Sequence, residues 1–88
     1  MADNARVKEY AKLLESKDYK KRFVGEYLMI RDKADRLDDM LDCYYEDKLG
    51  YAPTCPIAVL EAQSNAMWTY LKVLEYRADL ELIDLPRD

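Results

Sequence analysis

The sequence predicts an all-α protein: a short N-terminal helix followed by a long antiparallel helical hairpin, assembling as a homo-oligomeric helical bundle. Two observations carry this prediction. Apolar side chains recur at spacings of three and four residues on both sides of one break, which is the heptad pattern of packed helices. The break, at residues 49–56, contains Gly50, Pro53 and Pro56, which are three of the five glycines and prolines in the chain.

The first helix is expected over about residues 4–16. Residues 7–14 place apolar side chains on one face and charged side chains on the other, as a short amphipathic helix does. Residues 16–18 form the joint to the next helix. The N-cap of that helix is expected at Ser16 or Asp18, because short polar side chains accept hydrogen bonds from the free N–H groups of a helix start.

The second helix is expected over residues 18–48. Gly25 lies inside it, where a glycine destabilises the helix by about 1 kcal/mol relative to Ala. A glycine at such a position indicates a kink or a close backbone approach. Gly50 suits the left-handed position that follows a helix end. Tyr27 and Tyr44 are expected to form core or subunit contacts. The apolar seam of this helix consists of Phe23, Tyr27, Ile30, Ala34, Leu37, Leu41 and Tyr44.

The third helix is expected over residues 55–83, with Thr54 or Cys55 as N-cap and Pro56 in the first turn. Its seam consists of Ile57, Leu60, Ser64, Met67, Leu71, Leu74 and Ala78. A second apolar band consists of Val59, Ala62, Ala66, Val73, Tyr76 and Leu80, with Trp68 and Tyr70 beside it. A helix with this much apolar surface needs more than one neighbour. We expect the first helix to cover part of the band and copies of the same chain to cover the rest.

The length of 88 residues allows one domain, residues 1–88. The chain has no His and only two cysteines, Cys43 and Cys55, so it offers neither a zinc framework nor a disulfide scaffold. We expect both thiols to be reduced and half-buried. No apolar run approaches the length of a membrane span and the N-terminus has no signal-peptide core, so a cytoplasmic protein that acts away from membranes is expected.

The net charge of −4 argues against binding to a DNA or RNA polymer. The charge is unevenly distributed, because residues 1–36 hold ten basic against seven acidic side chains, whereas residues 37–88 hold four against eleven. A basic N-terminal half suits a small anionic ligand or complementary packing between chains, although solvated helix faces are the more common explanation of such charges.

The sequence predicts no enzyme. Without His the commonest general base is missing and a Cys nucleophile has no imidazole partner. No glycine-rich loop is present to hold a nucleotide triphosphate, and no cofactor is expected. Two acidic clusters could gather a divalent cation, but exposed helix faces show the same pattern, so no metal site is predicted. These clusters are Asp38, Asp39 and Asp42, and Asp79, Glu81 and Asp84.

The eight tyrosines indicate binding surfaces, because a tyrosine ring stacks while its hydroxyl forms hydrogen bonds. Tyr10 lies beside Lys8 and Lys12. Tyr19 lies beside Lys17, Lys20, Lys21 and Arg22. Aromatic faces interleaved with Lys and Arg are suited to stacking a base while neutralising its phosphate. We interpret both regions as candidate nucleotide sites.

The segment at residues 18–26, DYKKRFVGE, resembles the start of the main helix in small phage proteins of the anti-CBASS cyclic-oligonucleotide sponge family. Residues 33–37 resemble the Lys-x-x-x-Leu stretch of that family. The third helix is similar to the recurrent final helix of the family, through Gln63, Ala66-Met67, Tyr70-Leu71 and Arg77. The resemblance covers roughly residues 5–80.

The resemblance implies a compact helical homo-oligomer, typically a hexamer, that binds cyclic di- and trinucleotides between protomers in the host cytoplasm during phage infection. Such proteins hold the messenger without cleaving it, so the host effector stays inactive. A stacking aromatic and a phosphate-binding Lys of the family would correspond to Tyr19 and Lys33, with Tyr10 as the competing aromatic. The trinucleotide-binding Arg would be Arg77. Where the family carries a hydroxyl residue, this chain has Asp35, which disfavours a trinucleotide phosphate.

Each of these side chains also has an ordinary structural interpretation. Lys33 suits a solvated helix face, Arg77 suits an ion pair with Glu81, and Arg22 suits an ion pair with Glu26.

Two other functions compete with sequestration. One is a protein–protein adaptor or inhibitor that uses the band around Trp68 and Tyr70. The other, a metal-dependent phosphodiesterase, is disfavoured by the missing His.

Overall fold

The computed structural model describes residues 2–86, with side chains from residue 5 onward. It contains three α-helices, α1 (Ala2–Leu14), α2 (Tyr19–Tyr45) and α3 (Ile57–Glu81), and no strand occurs among the described residues. The prediction of an all-α protein is therefore confirmed. Each helix begins and ends within three residues of the bounds expected from the sequence. No helix in the described part of the chain is both long and apolar enough to cross a membrane.

Both ends of α2 are closed by local hydrogen bonds. Asp18 is the N-cap, and its carboxylate accepts a hydrogen bond from the Lys20 N–H at 2.9 Å. The other end is closed by Asp47, which takes the left-handed conformation (φ 58°) and donates its N–H to the Tyr44 carbonyl. The expectation that Gly50 follows the helix end was wrong. Gly50 is left-handed (φ 79°), but it shapes the loop after the helix has already ended.

The start of α3 also differs from expectation. Pro56 is the N-cap, and no side chain caps the helix, so the assignment of Thr54 or Cys55 was wrong. The Pro56 carbonyl accepts hydrogen bonds from the N–H groups of Val59 and Leu60, which makes Pro56 the boundary residue. At the other end Leu82 is left-handed, and the Ile83 N–H reaches the Ala78 carbonyl at 2.8 Å.

The core lies between α2 and α3. Its buried side chains are Phe23, Tyr27, Ala34, Leu71, Leu74, Ala78 and Ile83. Every residue of the two predicted seams is buried or half-buried except Tyr44, which is exposed. Tyr44 lies in the last turn of α2, where its ring meets the edge of Tyr45 at 5.8 Å instead of the core.

Side-chain hydrogen bonds join α2 to α3 along their length. They connect Tyr19 with Glu81, Tyr27 with Glu75, Asp38 with Ser64 and Trp68, and Tyr45 with Glu61. Residues farther along α2 therefore pair with residues nearer the start of α3. This register brings the first turn of α2 against the last turn of α3.

The first helix packs along α2 and does not reach α3. A Cβ atom added at Gly25 would lie 2.9 Å from both the Leu13 Cβ and the Leu14 backbone nitrogen, so the close approach expected at Gly25 is confirmed. The expectation that the first helix covers part of the second apolar band was wrong. All six residues of that band are exposed on α3.

Both cysteines are free thiols. Cys55 is half-buried as expected, whereas Cys43 is exposed in the last turns of α2, so the expectation was wrong for Cys43. Cys43 is exposed because it lies outside the heptad seam, whose members in these turns are Leu41 and Tyr44.

Candidate functional site

Three side chains form a closed cluster where α2 begins and α3 ends. The Tyr19 hydroxyl donates a hydrogen bond to Glu81 Oε1 at 2.6 Å and accepts one from Arg77 Nη2 at 3.0 Å. Arg77 Nε donates to Glu81 Oε2 at 3.2 Å, which confirms the expected ion pair between residues four apart. The register of the two helices thus brings together two predicted site residues, Tyr19 and Arg77.

Phe23 is the apolar floor of this cluster. The Arg77 guanidinium lies 5.1 Å from the Phe23 ring centroid, and the Tyr19 ring meets the Phe23 ring edge-on at 6.2 Å. Phe23 is buried, but Tyr19 is 47% exposed. The arrangement holds the Tyr19 ring in place while leaving part of its surface open to solvent.

The cluster carries a balanced pair of charges at neutral pH. The hydrogen bond that Tyr19 donates lowers the pKa of Glu81 below its usual value, and the same bond raises the pKa of Tyr19. The hydrogen bond to Glu81 also raises the pKa of Arg77. The site therefore contains a neutral phenol, a carboxylate and a guanidinium. An incoming phosphate would have to share Arg77 with Glu81.

Lysine side chains supply further positive charge beside the cluster. Lys20 follows Tyr19 and donates from Nζ to the Leu82 carbonyl at 3.2 Å. Lys20 and Lys21 border a shallow cavity of about 350 Å³ between α1, α2 and the end of α3. Asp84 also lines this cavity. The excess of cations makes this end of the molecule the better location for an anion.

Tyr10 lies in a separate cavity. Its hydroxyl donates to Asp32 Oδ2 at 3.4 Å, and burial is the main cause that raises its pKa. Asp32 is buried and also accepts from Arg36 Nε at 3.2 Å, with Arg6 at 3.8 Å. This cavity has a volume of about 220 Å³ and is lined by Arg6, Glu9, Tyr10, Leu28, Arg31, Asp32, Asp35 and Pro86. Three carboxylates against two guanidinium groups make it less suited to a phosphate than the Tyr19 cluster.

The structure does not bring Arg22 or Lys33 into either cluster. Arg22 Nη1 donates to the Ser16 carbonyl at 3.0 Å, so Arg22 fastens the joint between α1 and α2. Lys33 is exposed on α2, fourteen residues after Tyr19. At the rise of an α-helix this separation is about 21 Å along the axis. One ligand contacting Tyr19 and Lys33 of the same chain would have to span that distance.

Sequence reasoning missed the role of Glu81 as the partner of Tyr19, and it missed Lys20 as a tether to the end of α3. The register in which the two seams pair could have indicated both contacts, because it brings the first turn of α2 opposite the last turn of α3.

Asp35 lies at the position where a hydroxyl residue was expected. It is half-buried, and its Oδ2 lies 3.9 Å from Arg31 Nε. Within the described residues, no three His, Cys, Asp or Glu side chains are grouped so that they could hold a metal ion.

Comparison with known proteins gives one match. The family model named Sequestin matches residues 17–80, a span that includes Tyr19, Lys33 and Arg77. No curated protein and no solved structure matches the chain significantly. The family name indicates sequestration rather than catalysis, which agrees with the resemblance to a sponge family. Because the match covers well over half of the chain, this protein belongs to the Sequestin family.

Proposed function

We propose that this protein binds cyclic di- and trinucleotide second messengers, such as cyclic GMP-AMP, and holds them intact. In this account it is a phage immune-evasion protein of the host cytoplasm that keeps CBASS effectors inactive by lowering the free messenger concentration. A homo-oligomer, with a hexamer as the expected form, provides the pockets. The observation that carries the proposal is the exposed Tyr19 ring fixed beside the Arg77 guanidinium, within the span that matches the Sequestin family.

The geometry supports capture of a base and a phosphate together. The Tyr19 ring is held by two hydrogen bonds, so little freedom remains to be lost when a base stacks on it. Arg77, Lys20 and Lys21 offer positive charge on the same end of the molecule. A planar guanidinium can bind phosphate with two hydrogen bonds, which favours Arg77 as the phosphate ligand.

Lys33 fits the proposal only if the ligand lies between chains. In one chain it is about 21 Å from Tyr19 along α2, whereas a second copy could bring its own Lys33 beside Tyr19. The same reasoning keeps Tyr10 as the competing aromatic, because Tyr10 and Tyr19 lie in different clusters. Asp35 remains unfavourable for a trinucleotide phosphate, so we expect dinucleotides to bind more tightly than trinucleotides.

Isothermal titration calorimetry tests the binding step. The panel contains cyclic di- and trinucleotides and the corresponding linear dinucleotides. It also contains cyclic ADP-ribose, which offers one adenine and a pyrophosphate. Stable binding of a cyclic dinucleotide is expected. Absence of binding to every cyclic di- and trinucleotide would overturn the proposal, and binding of cyclic ADP-ribose alone would keep sequestration but change the ligand class.

Variants of the site residues test which tyrosine stacks. Tyr19→Ala is expected to weaken binding by about 10-fold to 100-fold, since stacking is worth about 1–3 kcal/mol per base. Tyr51→Ala is the matched control, because Tyr51 is also exposed but lies in the loop at the opposite end of α2. Arg77→Ala and Lys33→Ala should weaken binding as well. If Tyr10→Ala abolishes binding while Tyr19→Ala does not, the ligand occupies the Asp32 cavity.

A protein–protein adaptor or inhibitor is the second candidate function, and the exposed apolar band of α3 favours it. Trp68, however, does not belong to that exposed surface. It is half-buried, donates from Nε1 to Asp38 at 2.7 Å and lies against Arg31. An adaptor would have to bind through Tyr70, Val73 and Tyr76 instead. The adaptor would be favoured if calorimetry detects no nucleotide binding and the protein is monomeric in solution.

A further inference from the structure

The carboxylate of Glu81 lies within the candidate site, but neither base stacking nor phosphate binding accounts for it. It accepts one hydrogen bond at each oxygen, from Tyr19 at 2.6 Å and from Arg77 at 3.2 Å. The Glu81 side chain nevertheless remains 35% exposed. A carboxylate repels a phosphate, so a ligand that fits this site presents a hydrogen-bond donor to Glu81.

Glu81 can only accept hydrogen bonds at neutral pH, because its carboxyl group is ionised there. The hydrogen bond from Tyr19 is the main cause that lowers its pKa. An ionised carboxylate offers about four lone-pair positions, and the hydrogen bonds from Tyr19 and Arg77 occupy one on each oxygen. The exposed part of the side chain can therefore accept a further hydrogen bond from a ligand.

Arg77 keeps hydrogen-bond donors for a phosphate while it holds Glu81. A guanidinium group has five N–H donors in a fixed planar arrangement. The donor at Nε contacts Glu81, and one donor at Nη2 contacts the Tyr19 hydroxyl. The remaining donors can bind a phosphate that shares the guanidinium with Glu81, and the Arg77 side chain is 46% exposed. A phosphate and a hydrogen-bond donor of the same ligand can therefore occupy the cluster together.

Glu81 and Arg77 meet at one point, the hydroxyl oxygen of Tyr19. Glu81 Oε1 lies 2.6 Å from this oxygen, and Arg77 Nη2 lies 3.0 Å from it. In a ribonucleotide the 2′-hydroxyl and the 3′-phosphate are attached to adjacent carbon atoms of the sugar, whereas the Watson–Crick edge of the base points away from the sugar. A nucleotide whose base stacks on Tyr19 and whose phosphate contacts Arg77 thus brings its sugar hydroxyl beside Glu81.

We propose that Glu81 accepts a hydrogen bond from a ribose 2′-hydroxyl of the bound nucleotide and thereby selects ribonucleotides over 2′-deoxyribonucleotides. This assignment rests on the proposed function, in which Tyr19 stacks on a base and Arg77 binds a phosphate. The 2′-hydroxyl is the group by which proteins distinguish RNA from DNA. Carboxylates bind the ribose 2′-hydroxyl of NAD in the same way in doubly wound α/β folds. Glu81 is then a specificity-determining residue as well as the partner of Tyr19.

Calorimetry with a matched pair of ligands tests this assignment. The pair consists of 3′,3′-linked cyclic GMP-AMP, in which both 2′-hydroxyls are free, and its analogue that lacks both. The wild type should bind the ribose form about 10-fold more tightly, because a hydrogen bond to a charged group is lost with the deoxy form. Glu81→Ala should bring the two affinities to within about 2-fold of each other, since the acceptor is gone. Tyr19→Phe is the control, because it removes the hydroxyl that holds Glu81 but keeps the ring, so the preference for ribose should remain.

The possible results separate the role of Glu81 from the proposed function. Equal binding of both ligands to the wild type would overturn the role of Glu81 and leave nucleotide capture standing. This comparison needs no variant, so it remains decisive even if circular dichroism shows that Glu81→Ala has lost its helices. A ribose preference that persists in a folded Glu81→Ala protein would also overturn the assignment. Absence of binding to either ligand and to every other cyclic di- and trinucleotide would overturn the proposed function and the assignment together.

Discussion

Glu81 connects the two long helices at the end of the molecule that carries the candidate site. It accepts hydrogen bonds from Tyr19 and Arg77, and these bonds are the reason that its pKa lies below the usual value. A phosphate near Arg77 would compete with the same carboxylate. Glu81 therefore holds Tyr19 and Arg77 in position, and it competes with any anion for Arg77.

The pH dependence of this cluster follows from the direction of the shift. A carboxyl whose pKa is lowered in the folded state stabilises the protein above its unfolded pKa, and that stability is lost as the pH falls through the folded pKa. The usual value for Glu81 is 4.5. The stability difference between wild type and Glu81→Gln in urea should be present at pH 7 and should decrease below about pH 4.5. A difference that grows as the pH falls would contradict the assigned hydrogen bonds.

Gly25 is the point where α1 comes closest to α2. Gly25→Ala gains about 1 kcal/mol of helix propensity, but its Cβ would lie 2.9 Å from the Leu13 Cβ and the Leu14 nitrogen, and overpacking costs about 1–3 kcal/mol. A net loss of up to about 2 kcal/mol in urea unfolding is expected. Leu13→Ala in the same chain should not restore stability, since the contacts involve a Cβ and a backbone atom. A Gly25→Ala protein that is more stable than the wild type by the full helix-propensity gain of about 1 kcal/mol would contradict the close approach.

At the scale of the element, Asp38 links α2 to α3 through two hydrogen bonds. Ser64 Oγ donates to Asp38 Oδ1 at 2.5 Å, and Trp68 Nε1 donates to Asp38 Oδ2 at 2.7 Å. Both donors lie on the inner side of α3, where the surroundings exclude much of the water. The neighbouring carboxylate of Asp39 is exposed and offers a comparison within the same turn.

Asp38→Ala should therefore lower the free energy of unfolding by about 2–4 kcal/mol. Each hydrogen bond to a charged group contributes about 1.5–3 kcal/mol, and the two bonds share one half-buried carboxylate, so their contributions do not add in full. Asp39→Ala is expected to change it by less than about 0.5 kcal/mol. Urea denaturation of both variants gives the comparison, and the intrinsic fluorescence of Trp68 should report the loss of its partner only in the first. Equal effects of the two substitutions would show that Asp38 does not join the helices.

The helices and their inner faces could be predicted from the sequence because heptad spacing determines which side chains are buried. Phe23, Tyr27, Leu71 and Leu74 show this directly. The helix ends were harder to predict from the sequence, because Asp47 takes the left-handed conformation without being a glycine. The Tyr19–Arg77 contact could be predicted only in part. Each residue was chosen by its own chemistry, but the hydrogen bond between them depends on the register of two helices.

At the scale of the whole molecule, folding and self-association should be coupled. The single chain leaves the second apolar band of α3 exposed, so burial of that band against other copies of the chain would stabilise the folded state by mass action. The melting temperature of the wild type should rise by several degrees over a 100-fold increase in protein concentration. A Val73→Glu variant, which places a carboxylate in that exposed band, should melt at a concentration-independent temperature. A wild-type melting temperature independent of concentration would contradict this coupling.

Recovery of the bound ligand tests most directly whether the protein captures a cyclic dinucleotide without cleaving it. The purified protein is incubated with a cyclic dinucleotide until the free ligand is depleted, separated from the remainder, and denatured by heat. Mass spectrometry of the released material should show the intact cyclic dinucleotide, in an amount equal to that bound. Recovery of a linear dinucleotide or of mononucleotides would contradict the account and identify an enzyme.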